Sequence, residues 1–323
     1  MRVLVTGGAG YVGSHAAKAL ARAGFEPVVF DNLSNGHSWS VRWGPLVRGD
    51  LADRELLLKT LTGYGIEAVC HFAANAYVAE SIGQPRKYFR NNVVNSLNLL
   101  DAMLDADVRK LVFSSSCAVY GEPQQVPISE EHRRQPISPY GESKWFVEKA
   151  LRWYDAAYSL QFVALRYFNA SGADPEGELG EVHVPETHAL PLAIQTALGQ
   201  RPHFEIFGTD YPTPDGTAIR DYVHVADIAD AHVRALQHVL DRGESMALNL
   251  GTGAGHSVQE VVAAVERAGG RPVKILTSAR RPGDPAVLVA DGARAKQILG
   301  WQLRYSDLPG IVESAWRWHT RPE

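Results

Sequence analysis

Several things are scarce in this chain, and each scarcity removes a class of protein. Among 323 residues there are two cysteines, Cys70 and Cys117, each ending an apolar run, with no CxxC pair and no Cys/His cluster. That rules out a disulfide framework and a thiolate metal centre, so both read as reduced core thiols and no metal is expected. No apolar run approaches the roughly 18 residues of a membrane-spanning helix. The first residues, MRVLVTGG, read directly as a strand and turn rather than a secretory leader, which leads to the expectation of a cytoplasmic protein. The 32 Lys and Arg residues are interspersed with 36 Asp and Glu, for a formal charge of -4, and form no basic cluster. Neither nucleic acid nor an anionic membrane is therefore an expected partner. There is no internal repeat and no low-complexity segment. What is present is 45% hydrophobic residues, enough to build one large or two ordinary cores.

Over the first half, short β-branched runs alternate with longer amphipathic stretches. The strands read as RVLVT from Arg2, PVVF from Pro27, PLVRG from Pro45, EAVCHF from Glu67, RKLVFSS from Arg109 and LQFVALRYF from Leu160. Helical patterns lie between them at 11 to 23, 53 to 62, 85 to 106 and 139 to 158. This order predicts an α/β, doubly wound parallel sheet. Beyond Asn169 the texture changes, and residues 170 to 188 and 208 to 218 are rich in Gly, Pro, Asp, Glu and Thr. Helices return at 226 to 241, 257 to 268, 291 to 299 and 307 to 319, with strands at 246 to 250 and 273 to 276. The expected division is a dinucleotide-binding domain over 1 to 169, to which 219 to 250 returns. A smaller mixed α/β domain, mainly 170 to 323, would bind substrate.

Three local features carry chemistry. Gly8-x-Gly10-x-x-Gly13, overlapped by Gly7-x-x-Gly10-x-x-Gly13, follows a strand and opens a helix, where backbone amides can approach a pyrophosphate. Asp31 ends the next strand at the distance where a carboxylate accepts from both ribose hydroxyls and repels a 2′-phosphate, favouring NAD over NADP. Ser114, Ser115 and Ser116 close the fifth strand, and Tyr140 and Lys144 stand one helical turn apart. A phenol of pKa roughly 10 serves as a base at neutral pH only with a positive charge nearby, which Lys144 can provide, while a serine hydroxyl supports the oxygen losing its proton. With 12 tyrosines and eight lysines, chance alone supplies about 0.3 such pairs. The same residues also read as a packing turn, strand-end caps and a solvated helical pair.

Taken together, TGGAGYVG, Asp31, Ser116 and Tyr140-x-x-x-Lys144 resemble the extended short-chain dehydrogenase/reductase superfamily. The strings DNLSNGH, SSSCAVYGEP, SPYGESK, LRYFNASGA, NLGTG and RRPGDPAVLVAD, and above all IFGTDYPTPDGTAIRDYVHVADIADAH, extend the likeness along essentially the whole chain to the UDP-glucose 4-epimerases. The resemblance implies reversible epimerisation of UDP-glucose and UDP-galactose in galactose metabolism. The route would be a transient 4-ketose and enzyme-bound NADH, in a homodimer joined through the helices at 85 to 106 and 139 to 158.

It also implies roles. Gly7, Gly10, Tyr11, Val12, Gly13, Asp31, Asn32 and Asn35 would hold the adenosine and diphosphate half of NAD, with Asp50 and Leu51 bordering adenine. Phe72, Ala73 and Asn91 would continue toward the nicotinamide, flanked by Tyr167 and Phe168. Ser116, Tyr140 and Lys144 would be catalytic, Lys144 also bonding the nicotinamide ribose. Asn169 would begin the substrate contacts, and His188, Ala189, Phe207, Arg220, Arg281 and Asp284 would hold UDP. Arg220 and Arg281 suit phosphate oxygens, each reading otherwise as a surface ion pair.

Two positions depart from the pattern. Ala76 stands where many relatives have a lysine, so a cofactor phosphate contact is missing or supplied otherwise. Leu288 replaces a tyrosine beside the sugar's C2 and leaves room for an acetamido group, so activity on UDP-GlcNAc and UDP-GalNAc is the alternative. A sugar-nucleotide dehydratase would carry an Asp-Glu pair where Cys117 and Ala118 stand, and a non-catalytic NAD-binding scaffold would not need Ser116, Tyr140 and Lys144.

Overall fold

Residues 1–281 and 283–321 are described by the computed structural model. Its strands form where branched apolar residues alternate sides. In β1 (Arg2–Thr6) Val3 and Val5 enter one core layer and Leu4 the other, as a pleat of period two requires. The chain continues through α1 (Tyr11–Arg22), β2 (Glu26–Asp31), β3 (Leu46–Arg48), α2 (Arg54–Gly63) and β4 (Ala68–His71). Then come α3 (Val78–Gly83), α4 (Pro85–Tyr88), α5 (Asn95–Asp105), β5 (Lys110–Ser114), α6 (Pro139–Tyr158) and β6 (Gln161–Tyr167). The start of α6 is written locally: Ser138 accepts the Gly141 N–H at 3.2 Å and Pro139 takes a first-turn position.

The second half comprises β7 (Asn169–Ser171), α7 (Ala189–Ala197), β8 (Phe204–Phe207), β9 (Ile219–Arg220), β10 (Tyr222–His224), α8 (Val225–Asp241), β11 (Met246–Leu250), β12 (His256–Ser257), α9 (Val258–Gly269), β13 (Ile275–Ser278), β14 (Val287–Leu288), α10 (Ala293–Leu299) and α11 (Leu308–His319). The main sheet is parallel, in the order β11-β6-β5-β4-β1-β2-β3. The strand order reverses between β1 and β4, and that switch point opens a crevice at their carboxyl ends. On one face Leu20, Ile228, Leu236 and Trp301 pack on Val3, Val5 and Val112. On the other, Leu57, Leu99, Met103, Val147 and Leu151 pack on Leu4, Leu111 and Phe113. A separate core of Leu190, Ile194, Phe204, Val261, Val265 and Ile311 holds the second half together. Among the described residues no helix is long and apolar enough to cross a membrane.

The doubly wound α/β fold is as expected, with three local corrections. The helix expected over 85 to 106 is divided into α4, a π-helical segment Phe89–Val94 and α5. The widened turn lets buried Asn92 reach Asn75 and Ser143, contacts that a pattern of apolar spacing does not encode. The strand expected at 273 to 276 lies at Ile275–Ser278. The helix α7 and strand β8 were not anticipated in the second half, because their pairing and packing partners lie far along the chain.

Candidate active site

The crevice is floored by the glycine turn. Gly7 has φ 72°, and a Cβ there would lie 2.5 Å from the Ala73 nitrogen; a Cβ on Gly13 would lie 2.2 Å from the Gly7 carbonyl oxygen. The turn can therefore be this tight only without side chains at these positions. No side chain caps α1 at Gly10, and its first turn carries no acid, so its positive end suits a pyrophosphate. Asp31 is buried at the end of β2 and accepts the Ala9 N–H at 3.0 Å and the Leu33 N–H at 2.8 Å. Burial raises its pKa while those two amides oppose the rise. These donors fix the carboxylate and leave it lone pairs for a pair of hydroxyls. The residues fit a dinucleotide.

The remaining residues on this side lie around the same rim. Tyr11 donates to the Gly172 carbonyl at 2.6 Å, tying α1 to the segment after β7. Half-buried Val12 packs on the core. Asn32 donates to Asp50 at 2.7 Å, and Asn95 reaches the same carboxylate at 3.2 Å. Leu51 folds into the core, while Asn35 stands exposed. Phe72 and Ala73 follow β4, both amides donating to the Thr6 carbonyl. Asn91 donates to Asn92 at 3.0 Å.

At the end of β5 the three serines diverge. The Ser114 carbonyl accepts from Lys144 Nζ at 2.8 Å, and its hydroxyl shares a 2.6 Å hydrogen bond with the Tyr167 hydroxyl. Ser115 donates to Glu148 at 2.6 Å. Ser116 accepts the Ala118 N–H at 3.2 Å, and its hydroxyl lies on the Tyr140 side, where it favours the ionised phenol. Tyr140 and Lys144 are both buried, with the Lys144 ammonium 6.0 Å from the Tyr140 ring centre. Burial raises the Tyr140 pKa, and Tyr167 adds to the rise against the Ser116 hydroxyl. Burial lowers Lys144 to about 7, opposed by the Glu148 carboxylate. Desolvation thus works against ionisation of Tyr140, so a phenolate there needs a positive charge beside it.

A third group lies beyond the sheet. Arg220 forms an ion pair with Asp284, both named from the sequence, and Arg281 lies 3.7 Å over the Phe207 ring. Leu288 pairs with Arg220 in the β14–β9 register. It also packs in one small cluster with Cys117 and Phe168, which links this region to the serine end of β5. The Asn169 N–H donates to the Asp221 carbonyl at 2.9 Å. His188 and Ala189 stand at the start of α7, with the His188 side chain turned toward Glu181 at 2.6 Å.

Sequence reading missed the supports behind these groups. Glu148 forms a bidentate pair with Arg166 at 2.9 and 2.5 Å, and Arg166 donates to Tyr120 at 2.8 Å. Tyr120 in turn donates to Asn249 at 2.6 Å. Glu148 could have been found as the next position after Tyr140 and Lys144 in an i, i+4, i+8 series, and Arg166 as a lone charge within an apolar strand. Asn92 staples Asn75 to Ser143, whose hydroxyl donates to the Tyr140 carbonyl at 2.7 Å. Buried His232 packs on Phe72, ring centres 4.6 Å apart, and on Tyr167 at 6.2 Å.

Comparison with known proteins adds four findings. The NAD dependent epimerase/dehydratase family matches over residues 3–251. A UDP-glucose 4-epimerase of Rhizobium meliloti is 53% identical over 319 residues, 99% of this chain and 97% of that one. Among solved structures, UDP-glucose 4-epimerase from Brucella ovis in complex with NAD superposes with a TM-score of 0.95 at 52% identity, covering 98% of this chain and 97% of that one. The enzyme from Stenotrophomonas maltophila, with bound NAD and formylated UDP-arabinopyranose, gives a TM-score of 0.95 at 42% identity over the same shares.

Proposed function

The chain belongs to the NAD dependent epimerase/dehydratase family, and from that premise we propose that it is an isomerase interconverting UDP-glucose and UDP-galactose with no net oxidation. The observation that carries this reading is the convergence of Ser116, Tyr140 and Lys144 at the end of β5, joined through Cys117, Phe168 and Leu288 to the Arg220–Asp284 pair. NAD, when bound, takes up a hydride from the sugar's C4 and gives it back.

The protein's own groups do the rest. Tyr140 removes the proton of the C4 hydroxyl, and Ser116 donates to the oxygen as it becomes a carbonyl. Since burial disfavours the phenolate, positive charge has to be close, and Lys144 in its ammonium form supplies it. Glu148, with Arg166 behind it, counters the burial that would otherwise strip that proton from Lys144. Arg220 and Arg281 grip the diphosphate and Phe207 adds apolar contact near the nucleotide. A firmly held nucleotide and a lightly held hexose let the 4-ketose offer its other face before Tyr140 returns the proton. Cys117 and Ala118 cannot replace the carboxylates that elimination of water requires.

The division expected from sequence fits this reading: residues 1 to 169 with 219 to 250 bind NAD, and the remainder mainly binds UDP-sugar. A homodimer through the helices at 85 to 106 and 139 to 158 is supported by large apolar side chains left exposed on those segments, Phe89 at 42%, Val94 at 50%, Phe146 at 44% and Trp153 at 76%. A cytoplasmic location accompanies the two free cysteines. The test is to mix the purified protein with UDP-glucose or UDP-galactose, add no NAD, and resolve the products. Interconversion of the two is expected. A stoichiometric rise in reduced-nicotinamide absorbance, with no epimer formed, would refute the proposal in favour of a dehydrogenase.

A further inference from the structure

Among the described residues, two clusters gather potential metal ligands away from Ser116, Tyr140 and Lys144. In the first, Asp174, Glu176 and Glu178 surround Lys18 Nζ at 2.7, 3.1 and 2.7 Å, and Arg22 and Arg42 join them. Those carboxylates are matched by cations. The second cluster is different. Glu181, His183, Glu186 and His188 converge just before α7, with one ligand atom from each within 4.8 Å of all the others. Among the described residues the charged neighbours of both glutamates, whose side chains are only 4% exposed, are the imidazoles of His183 and His188, themselves metal-ligating groups, rather than a lysine or arginine.

The separations are those of a coordination sphere. Glu181 Oε1 lies 2.6 Å from His188 Nδ1 and 3.1 Å from His183 Nδ1, while Glu186 carboxylate oxygens lie 3.4 Å from His188 Nδ1 and 3.7 Å from His183 Nδ1. A tetrahedral ion with bonds of about 2.0–2.1 Å spaces its ligands by about 3.3–3.4 Å; three of the four separations lie within about 0.4 Å of that, and the Glu181–His188 pair would open by about 0.7 Å on taking up the ion. Close as they are, Glu181 Oε1, His183 Nδ1 and His188 Nδ1 are buried without a hydrogen bond. Lone pairs turned toward a shared point, rather than a donor aligned with an acceptor, give that arrangement. The Glu186 carboxylate is already oriented, accepting the Thr187 N–H at 2.7 Å and the His188 N–H at 2.8 Å. His188 is 43% exposed, which leaves a route for an ion to enter.

We propose that Glu181, His183, Glu186 and His188 form a binding site for a divalent cation of the zinc class. Two imidazole nitrogens and two carboxylate oxygens match that ion's ligand preference, and the carboxylates balance its charge. The site clamps the segment that leads into α7. His183 lies edge-on to Tyr11 at 6.4 Å and to Tyr77 at 5.9 Å, and the Glu181 carbonyl accepts from Trp318 at 3.2 Å. The ion would therefore brace the glycine-turn helix, the segment after β4 and the C-terminal helix against one loop. This reverses the expectation from sequence that no metal is bound, and it holds whichever sugar the enzyme takes.

The NAD-containing protein, made without a histidine tag, is stripped with a chelator and titrated with Zn2+, with metal content read by mass spectrometry. About one ion per chain is expected at a Kd below about 1 µM, with a thermal midpoint that rises on addition. Co2+ should give the visible bands of a tetrahedral nitrogen–oxygen site. Glu181→Gln and His183→Ala should each weaken binding at least about tenfold and abolish the thermal response. Wild-type protein that takes up neither Zn2+ nor Co2+ at about 100 µM overturns the proposal, whether or not the variants fold. So do folded variants that bind as wild type does.

Discussion

Removing Arg166 tests the support beneath Lys144. Arg166 and Glu148 side chains are each 1% exposed and meet through hydrogen bonds of 2.9 and 2.5 Å. In Arg166→Met, Glu148 keeps the Ser115 hydroxyl on one oxygen and loses the cation from both. Breaking a buried pair from one side costs about 3–5 kcal/mol, because an uncompensated charge is left in a poorly polarisable interior. That is a large fraction of a total stability of about 5–15 kcal/mol. Replacing both partners, as in Glu148→Leu/Arg166→Met, removes the charge altogether, and its expected cost is far smaller. Of that, about 1 kcal/mol reflects the Tyr120 hydroxyl losing the Arg166 donor. Urea unfolding of the two single variants and the double, at saturating NAD, measures the difference. Glu148→Gln carries a second signature. The Glu148 carboxylate holds Lys144 up against the burial that takes it down to about 7, so its loss should move the alkaline limb of epimerase activity to lower pH. Arg166→Met within about 1 kcal/mol of wild type, or a double variant less stable than both singles, would refute the reasoning.

Further outcomes concern the site and the acid response. Tyr140→Phe should lower kcat by about 10²–10⁴-fold with the fold intact by circular dichroism; activity within about tenfold of wild type would mean another group is the base. Gly13→Ala places a methyl 2.2 Å from the Gly7 carbonyl oxygen, so copurifying NAD should be lost, and an NAD-replete variant would show that the turn can yield. Burial lowers His15, His224 and His232 to about 4 and His71 to about 3. Because the unfolded chain protonates first, at about pH 6.5, their contribution is complete above that pH and is lost as pH falls toward 4 or 3. Unfolding midpoints should therefore drop across that window, with a shallower slope in His224→Asn; a flat profile would count against buried neutral imidazoles. If Leu288 leaves room for an acetamido group, UDP-GlcNAc and UDP-GalNAc should interconvert measurably, whereas a kcat/KM at least about 10⁴-fold below the glucose pair, on the order of 5.5 kcal/mol, would sink the idea.

The parts legible in sequence were those carried by neighbours along the chain. Val3, Leu4 and Val5 announce a strand buried on both faces because side-chain alternation is a local consequence of the pleat. The Gly7 to Gly13 turn and the Tyr140–Lys144 spacing are local for the same reason, as is the cap at Ser138. Asn92 was passed over because its meaning lies in Ser143, 51 positions away, and in the π-helical turn that brings them together. Similarly, the Arg220–Asp284 pair spans 64 positions and took its place from resemblance rather than from pattern.

Sequence alone thus determined the doubly wound frame, and it nominated the dinucleotide turn and the residues proposed to move a proton, since each depends on periodicity or short spacing. Tertiary structure decided how those residues behave. Burial makes the Tyr140 phenol harder to ionise and Lys144 easier to deprotonate, and the network of Glu148 and Arg166 resists the second effect. Desolvation and charge pairing depend on what surrounds a group in three dimensions, and no stretch of sequence holds that information by itself.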